Sequence, residues 1–164
     1  KSEIKEEQLA ESLAIIGKRK DNFRFHINYK EGESWAFVNR LETSSINLGN
    51  QQEMGYMLYQ DVKYKPLFSK ITFTSRYVLF NTPTYDSRIY AYENDVLYGY
   101  SIPAYYGKGS KIYLVAKCNI IRNLDFWLRI AHTTYTDRMV LKSGWDEIEG
   151  NKMTEIKLQL RYKF

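Results

Sequence analysis

Apolar and polar residues alternate along several segments of the chain, and most regularly in the last one, "KMTEIKLQLRYKF". One side of this segment carries Thr154, Ile156, Leu158, Leu160, Tyr162 and Phe164. The other side carries Met153, Glu155, Lys157, Gln159, Arg161 and Lys163. A period of two residues is that of a β-strand. The pattern therefore predicts a strand that continues to the C-terminal aromatic residue.

The same alternation predicts further strands earlier in the chain. It is clear at 22–30, 69–80, 111–120 and 124–132, and weaker at 34–42 and 54–65. The N-terminal 20 residues show little alternation, and we interpret them as a polar strand followed by a loop. Together these segments predict an all-β fold of about eight strands.

The predicted connections alternate in length. Those at 31–33, 66–68 and 121–123 are short, whereas those at 43–53, 81–109 and 136–151 are long. Outer-membrane β-barrels have short periplasmic turns and longer extracellular loops. The pattern thus favours an antiparallel transmembrane β-barrel, with the C-terminus on the short-turn side, although a chance distribution in a soluble β-protein is an alternative.

Composition is consistent with this interpretation. The 164 residues include 15 Tyr, 8 Phe, 3 Trp and only 3 Pro, and aromatic residues favour strands. The length suits one unit, residues 1–164, and no linker divides it. No apolar run approaches the roughly 20 residues of a transmembrane helix. The chain starts at Lys1 without a signal-peptide pattern, so an export signal would have been removed or lie outside these residues.

Charge and reactive residues do not indicate catalysis. The net charge of +5 is spread along the chain, and the longest basic run is "KRK" at 18–20, so nucleic acid is not the expected partner. His26 and His132 lie on separate predicted strands, and Cys118 is the only cysteine. The acidic cluster at 146–149 lacks the spacing of a calcium loop. We expect no enzyme activity, no cofactor and no metal site.

The connection at 81–109 contains seven tyrosines and has the pattern of a hairpin around "END". On the long-loop side of a barrel this hairpin would rise above the barrel mouth or fold over it. Its candidate binding residues are Tyr90, Tyr92, Tyr98, Tyr100, Tyr105 and Tyr106. Tyrosine rings could stack on sugars or peptides, while packing of the hairpin on itself is the alternative explanation.

Several segments resemble a known family. "YDSRIYAYENDVLYGYSIPAYYGKGSKIYL", "RNLDFWLRIAHTTYTDR" and "SGWDEIEGNKMTEIKLQLRYKF" are similar to the C-terminal region of Bacteroidota outer-membrane proteins whose longer members carry helix-hairpin-helix repeats. The resemblance covers roughly residues 58–164. It implies a bacterial outer-membrane location and a barrel larger than this chain can make. The sequence contains no helix-hairpin-helix segment, so DNA binding by such repeats does not carry over.

The C-terminus has a second resemblance. A last strand with alternating apolar residues and a terminal aromatic is similar to the signal read by the outer-membrane barrel assembly machinery. The matching positions are Leu158, Leu160, Tyr162 and Phe164. Alternatively, Phe164 anchors the strand at the lipid interface, where aromatic girdles lie, and both roles are compatible.

The sequence thus predicts an integral outer-membrane barrel protein, or its C-terminal segment, with a structural, binding or transport role. The expected partners are outer-membrane lipid, the barrel assembly machinery, and preceding strands of a larger barrel or other outer-membrane proteins. Two alternatives remain open at this point. One is a soluble β-barrel that binds a small ligand, and the other is a surface component for DNA binding or uptake.

Overall fold

The computed structural model describes residues 18–48, 51–142 and 144–164, and these are organised around one large antiparallel sheet. Its seven strands, in spatial order, are β1 (Lys18–Glu31), β2 (Trp35–Leu48), β3 (Gln51–Tyr64), β4 (Ile71–Thr82), β7 (Gly107–Ile121), β8 (Leu124–Tyr135) and β11 (Lys152–Tyr162). Two small pairs complete the fold: β5 (Ile89–Tyr90) with β6 (Ala104–Tyr105), and β9 (Val140–Leu141) with β10 (Ile148–Glu149). A short 3-10 helix covers Gly144–Asp146. Among the described residues, no helix is long and apolar enough to cross a membrane.

The prediction of an all-β chain with antiparallel strands is confirmed. The seven strands predicted from residue 22 onward are all present, and most are longer than the hydrophobic pattern indicated. The N-terminal segment predicted as a polar strand and loop lies outside the described residues, except for 18–20, which belong to β1. In the described part of the chain, β1 and β11 are the two edges of the sheet, and no backbone ladder joins them.

The prediction of a long connection at 43–53 is wrong. Strands β2 and β3 stay paired up to Leu48 and Gln51, so only residues 49–50 connect them. The outer part of β2 carries Thr43 and Ser45 where an apolar residue was expected, and the hydrophobic pattern therefore fades. Backbone hydrogen bonds continue there because they do not require apolar side chains. The connections between β4 and β7 and between β8 and β11 are long, as predicted.

One side of the sheet, here called the apolar face, is exposed, and it carries charged residues only near the strand ends. Its exposed members include Phe25, Leu41, Leu58, Leu79, Ile112, Leu114, Ile130, Ile156, Leu158 and Leu160. In the described strands, Asp, Glu, Lys and Arg occur on this face only near the strand ends, at Arg19, Asp21 and Glu31 of β1, Lys108 of β7 and Lys152 of β11. A continuous apolar surface of this extent is unusual for a protein surrounded by water.

The opposite side, here called the polar face, carries the charged residues and is largely buried. Arg40, Glu42, Asp61, Arg76 and Arg129 on this face are each at most 8% exposed. They are covered by the residues between β4 and β7, here called the inserted segment (83–106). Buried charges beneath an exposed apolar face are the reverse of the usual arrangement in a soluble protein.

The strands are staggered across the sheet. One register row contains, in order, Phe25, Leu41, Leu58, Leu79, Ser110, Thr134 and Lys152. Phe25 lies in the middle of β1, whereas Lys152 is the first residue of β11. Such a progressive shift is the register geometry of strands that tilt in a barrel wall.

A small apolar cluster fixes the base of the inserted segment to the sheet. Met57, Tyr59, Val78 and Phe80 of the sheet enclose Ile89, Ala91 and Tyr105 of the inserted segment. Gly55 allows this close approach, because a Cβ at that position would lie 2.8 Å from Thr82 Cγ2 and 3.2 Å from the Ser87 carbonyl oxygen. The base of the inserted segment is therefore held by packing.

Candidate functional site

The inserted segment crosses the polar face from one edge of the sheet to the other. Near β1, Lys20 Nζ donates hydrogen bonds to the carbonyl oxygens of Asp86 at 3.0 Å and Arg88 at 2.9 Å. On β11, Lys157 Nζ donates to Asp95 Oδ2 at 2.7 Å. Residues 86–95 thus reach from β1 to β11 across the polar face, which is here called the wall. The inserted segment lies across the strands rather than above their ends.

Basic side chains of the wall hold this chain by its backbone. The alternate carbonyl oxygens of residues 86, 88, 90, 92 and 94 all accept hydrogen bonds from Lys or Arg. Arg40 reaches the Tyr90 oxygen at 3.4 Å, and Arg76 reaches the Tyr92 oxygen at 2.5 Å. Because an extended chain repeats every two residues, one wall can contact every second carbonyl. This row of contacts is here called the carbonyl ladder.

The arginines of the carbonyl ladder alternate with tyrosine rings. Tyr59 has Arg40 at 5.8 Å and Arg76 at 3.8 Å, measured from guanidinium carbon to ring centroid. Tyr113 has Arg76 at 5.6 Å and Arg129 at 5.1 Å. A cation near an aromatic face is attracted by the ring quadrupole, more strongly where water is excluded. The stack therefore fixes the three guanidinium groups beneath the inserted segment.

Acidic residues of the wall neutralise part of this charge. Asp61 accepts two hydrogen bonds from Arg76, with Nη2 to Oδ2 at 2.6 Å. Glu42 accepts two from Arg24, at 3.0 and 3.2 Å, and one from Arg40. Buried charges require such partners, because desolvation of an unpaired ion costs several kcal/mol. The polar face nevertheless carries more basic than acidic residues.

Carboxylates of the inserted segment pair with other basic side chains of the polar face. Its tip, here residues 93–101, is closed by a bridge between Glu93 and Ser101. The Glu93 carboxylate, only 1% exposed, accepts hydrogen bonds from Lys111 at 2.6 and 2.8 Å and from Arg129 at 2.5 Å. Asp95 is paired with Lys157 on the neighbouring strand. Two tip carboxylates thus occupy a basic region of β7, β8 and β11.

This environment changes the ionisation of the inserted segment. Burial, and then the adjacent Glu93 charge and hydrogen bond, raise the pKa of the Tyr105 hydroxyl, which keeps it a neutral donor to that carboxylate. Burial alone would raise the pKa of Asp95, but bonds from Lys157 and the Val96 N–H outweigh it and lower the pKa. Asp95 is therefore ionised at neutral pH, and its stabilising contribution is lost as the pH falls through that lowered pKa.

The structure separates the six tyrosines predicted as a binding surface. Four of them are exposed: Tyr90, Tyr92, Tyr98 and Tyr100. Tyr98 is 82% exposed, and the rings of Tyr92 and Tyr100 lie 5.8 Å apart. Tyr105 is buried in the apolar cluster, and Tyr106 is half-buried beside Arg138. Only the first four are accessible to a ligand.

The residues predicted as an assembly signal lie together on the apolar face of edge strand β11. Leu158, Leu160, Tyr162 and Phe164 are all exposed. The rings of Tyr162 and Phe164 contact each other edge to face at 5.2 Å. Nothing else on the apolar face of the described chain covers them, so they are available to a partner or to lipid.

No family model, curated protein or solved structure matches this chain. The functional argument therefore depends on the geometry of the chain itself. That geometry provides a rigid charged wall, a backbone-held segment and exposed tyrosines.

The two histidines, which the sequence did not indicate as catalytic or metal-binding residues, contact neutral polar side chains. His26 contacts Asn28 at 2.9 Å, and His132 contacts Thr154 at 2.9 Å on the apolar side. Within the described ranges, no group of three or more His, Cys, Asp or Glu residues could hold a metal ion. The Arg–Tyr stack was missed at the sequence level, because its members are distant in the chain and meet only through strand register.

Proposed function

We propose that this chain is part of the wall of a transmembrane β-barrel in a bacterial outer membrane, and that the inserted segment is its internal plug. The observation that carries the proposal is the reversed distribution of polarity across the sheet. The exposed side is apolar, with charged residues only near the strand ends, while the charged residues at the centre of the other side are buried beneath the inserted segment. A barrel in lipid requires an apolar outer surface and tolerates a polar interior.

The size of the apolar face supports this proposal. On β4 it extends from Ile71 to Leu79, and on β3 from Met54 to Tyr64. A strand rises about 3.3 Å per residue, and roughly 9–11 tilted residues cross a bilayer. Polar residues such as Asn81, Ser110 and Lys152 then mark the long-loop rim of the apolar face.

Aromatic residues are clustered near the short-turn ends of the strands. Trp35 lies 4.1 Å from Tyr64 and 6.0 Å from Phe37, measured between ring centroids, and Tyr29 stacks on Phe37 at 6.3 Å. Tyr and Trp combine an apolar ring with a polar group and are favoured at membrane–water interfaces. We assign this cluster to the periplasmic aromatic girdle.

The two sheet edges support a larger barrel. Seven antiparallel strands place β1 and β11 in the same direction, so direct pairing between them would be parallel. An odd number of additional strands would close the sheet with antiparallel pairs throughout. Unpaired backbone groups are costly in lipid, so we propose that further strands cover both edges.

An inserted segment that occupies the interior of the proposed barrel favours a binding or gated-transport role over a permanently open pore. The four exposed tyrosines would face the interior of the closed barrel, where their rings could contact a solute. The soluble alternative needs the apolar face turned toward a ligand, yet that is the exposed side of this sheet. The structure offers no comparable support for DNA uptake, because the tip carboxylates neutralise much of the basic wall.

The first test is migration on gel electrophoresis with and without heating. We expect protein taken from native membranes to need detergent for extraction and to migrate faster unheated, as a compact barrel. The same measurement on the refolded 164-residue chain alone shows whether its seven described strands suffice. A protein that is monomeric and folded without detergent would overturn the membrane proposal.

We also propose that the C-terminal aromatic residue promotes assembly. Phe164→Ala is expected to lower the fraction of newly made protein that becomes folded in the outer membrane. It should leave the unfolding temperature of the purified barrel unchanged, because the Phe164 ring stacks only on Tyr162. Ile156→Ala on the same face is the matched control, since Ile156 is outside the proposed signal. Equal assembly of both variants would contradict the proposal.

A further inference from the structure

The two ends of the inserted segment are held by different forces. Its base, at β5 and β6, is buried among Met57, Val78 and Phe80. Its tip has no buried apolar side chain, and it is fixed by the ion pairs of Glu93 and Asp95 and by hydrogen bonds from the Asn94 backbone N–H and side-chain amide to the Tyr113 hydroxyl. Dissolved anions do not compete for hydrophobic contacts, whereas they can replace the carboxylate of an ion pair. The tip can therefore be released while the base stays in place.

Release of the tip would leave a concentrated basic region on the wall. Lys111, Arg129 and Lys157 occupy neighbouring strands, and Arg129 and Lys157 are directly paired in register. Of the wall acids, only Glu155 contacts this group, through Arg129 and, at 3.6 Å, through Lys157. Three cations against one carboxylate leave a net positive site, and a positive site in a sheltered cleft attracts anions.

We propose that Lys111, Arg129 and Lys157 form an anion-binding site whose resident occupants are Glu93 and Asp95, and that a linear dianionic ligand displaces the tip. This inference concerns the wall and the tip alone, and it does not depend on what covers the apolar face. Ligand binding and release of the tip from the wall would then be one coupled event.

The positions of the Glu93 and Asp95 carboxylates define how far apart the anionic groups of a ligand must be. Glu93 and Asp95 are two residues apart in the inserted segment, and the carboxylates of both contact basic side chains of the wall. Two residues span about 6–7 Å, so the ligand carries its anionic groups at about this separation. Between them, Arg129 Nε donates to the Asn94 carbonyl oxygen at 3.2 Å, which leaves room for an acceptor in the middle of the ligand. A flexible dicarboxylate of adipate length meets these conditions, and malonate is too short.

The test uses adipate and malonate at equal ionic strength, with the protein folded in detergent micelles. Adipate is expected to accelerate hydrogen exchange at residues 93–101 and to leave β5 and β6 protected, whereas malonate should change neither. Accelerated exchange throughout the inserted segment, or the same response to both dicarboxylates, would overturn the proposal, because either result reflects a general salt effect.

Affinity measurements in variants give a second, independent readout. In Glu93→Gln/Asp95→Asn the tip no longer competes, so adipate should bind about tenfold tighter or more, as expected when a larger fraction of the site is open. Adding Lys157→Gln should reverse the gain. Glu147→Gln, at an exposed loop position, is the control and should bind as the parent does. If Glu93→Gln impairs folding, Asp95→Asn alone is the test variant. Adipate should then bind it more tightly than it binds the parent, by a smaller factor than in the double variant. Unchanged affinity in the tip variants would overturn the proposal.

Discussion

Leu58→Arg is expected to lower the free energy of unfolding by about 2–4 kcal/mol when the protein is folded in lipid. Leu58 lies on β3 between Leu41 and Leu79, and it is 46% exposed. In water, a charged residue at such a half-exposed position changes stability by about 0.5 kcal/mol or less. In a bilayer the same side chain would place a guanidinium group against hydrocarbon. Denaturant titration in phospholipid vesicles measures the difference.

Gln52→Arg is the matched control for this substitution. Gln52 is on the same strand and the same face as Leu58, but it lies toward the polar rim. An arginine near the membrane interface costs about 0–1 kcal/mol because its charge reaches water. We therefore expect a clear depth dependence between the two variants. Equal and small costs at both positions would show that water, not lipid, covers the apolar face.

Asp61→Leu is expected to destabilise the protein by about 3–5 kcal/mol, the usual cost of leaving a buried ion without its partner. Asp61 is 8% exposed and accepts two hydrogen bonds from Arg76, which is 3% exposed. Arg76 also stacks on Tyr59 and holds the carbonyl oxygen of Tyr92. Loss of Asp61 should therefore loosen the inserted segment as well as the wall. Denaturant unfolding in detergent gives the change.

The double variant Asp61→Leu/Arg76→Met should recover about 1 kcal/mol or more of that loss, because it removes the unpaired charge. Recovery will be incomplete, since the Tyr92 carbonyl oxygen then loses its donor, a loss of about 1–3 kcal/mol for a buried group. Costs that simply add between the two single variants would contradict a direct buried pair. Arg76→Met alone provides the remaining corner of this cycle.

The alternation of residues in the sequence was sufficient to predict the strands that carry the apolar face. In β11 the period of two is strong, and the apolar side that it predicts is the more exposed side of the strand in the structure. Where both sides of a strand are polar, as near Ser44 and Ser45 in β2, that alternation is absent. The connection at 43–53 was mispredicted for this physical reason.

The wall charges could be recognised as one alternating side of each strand, but their partners could not. Arg40, Tyr59 and Arg76 are far apart in sequence, and they meet because β2, β3 and β4 pair in a particular register. The path of the inserted segment across the sheet could not be predicted from the sequence either. A tyrosine-rich hairpin has the same sequence pattern above the end of a sheet as across its face, and the hydrogen bonds from Lys and Arg side chains of the sheet place it across the face.

The carbonyl ladder allows side chains of the inserted segment to vary during evolution. The wall recognises oxygens of the main chain, which every amino acid supplies, at residues 86, 88, 90, 92 and 94. The side chains of Tyr90 and Tyr92 are exposed. Their identity can therefore change during evolution while the path of the backbone is preserved. The inserted segment can thus present side chains of variable chemistry on a backbone path that the wall keeps constant.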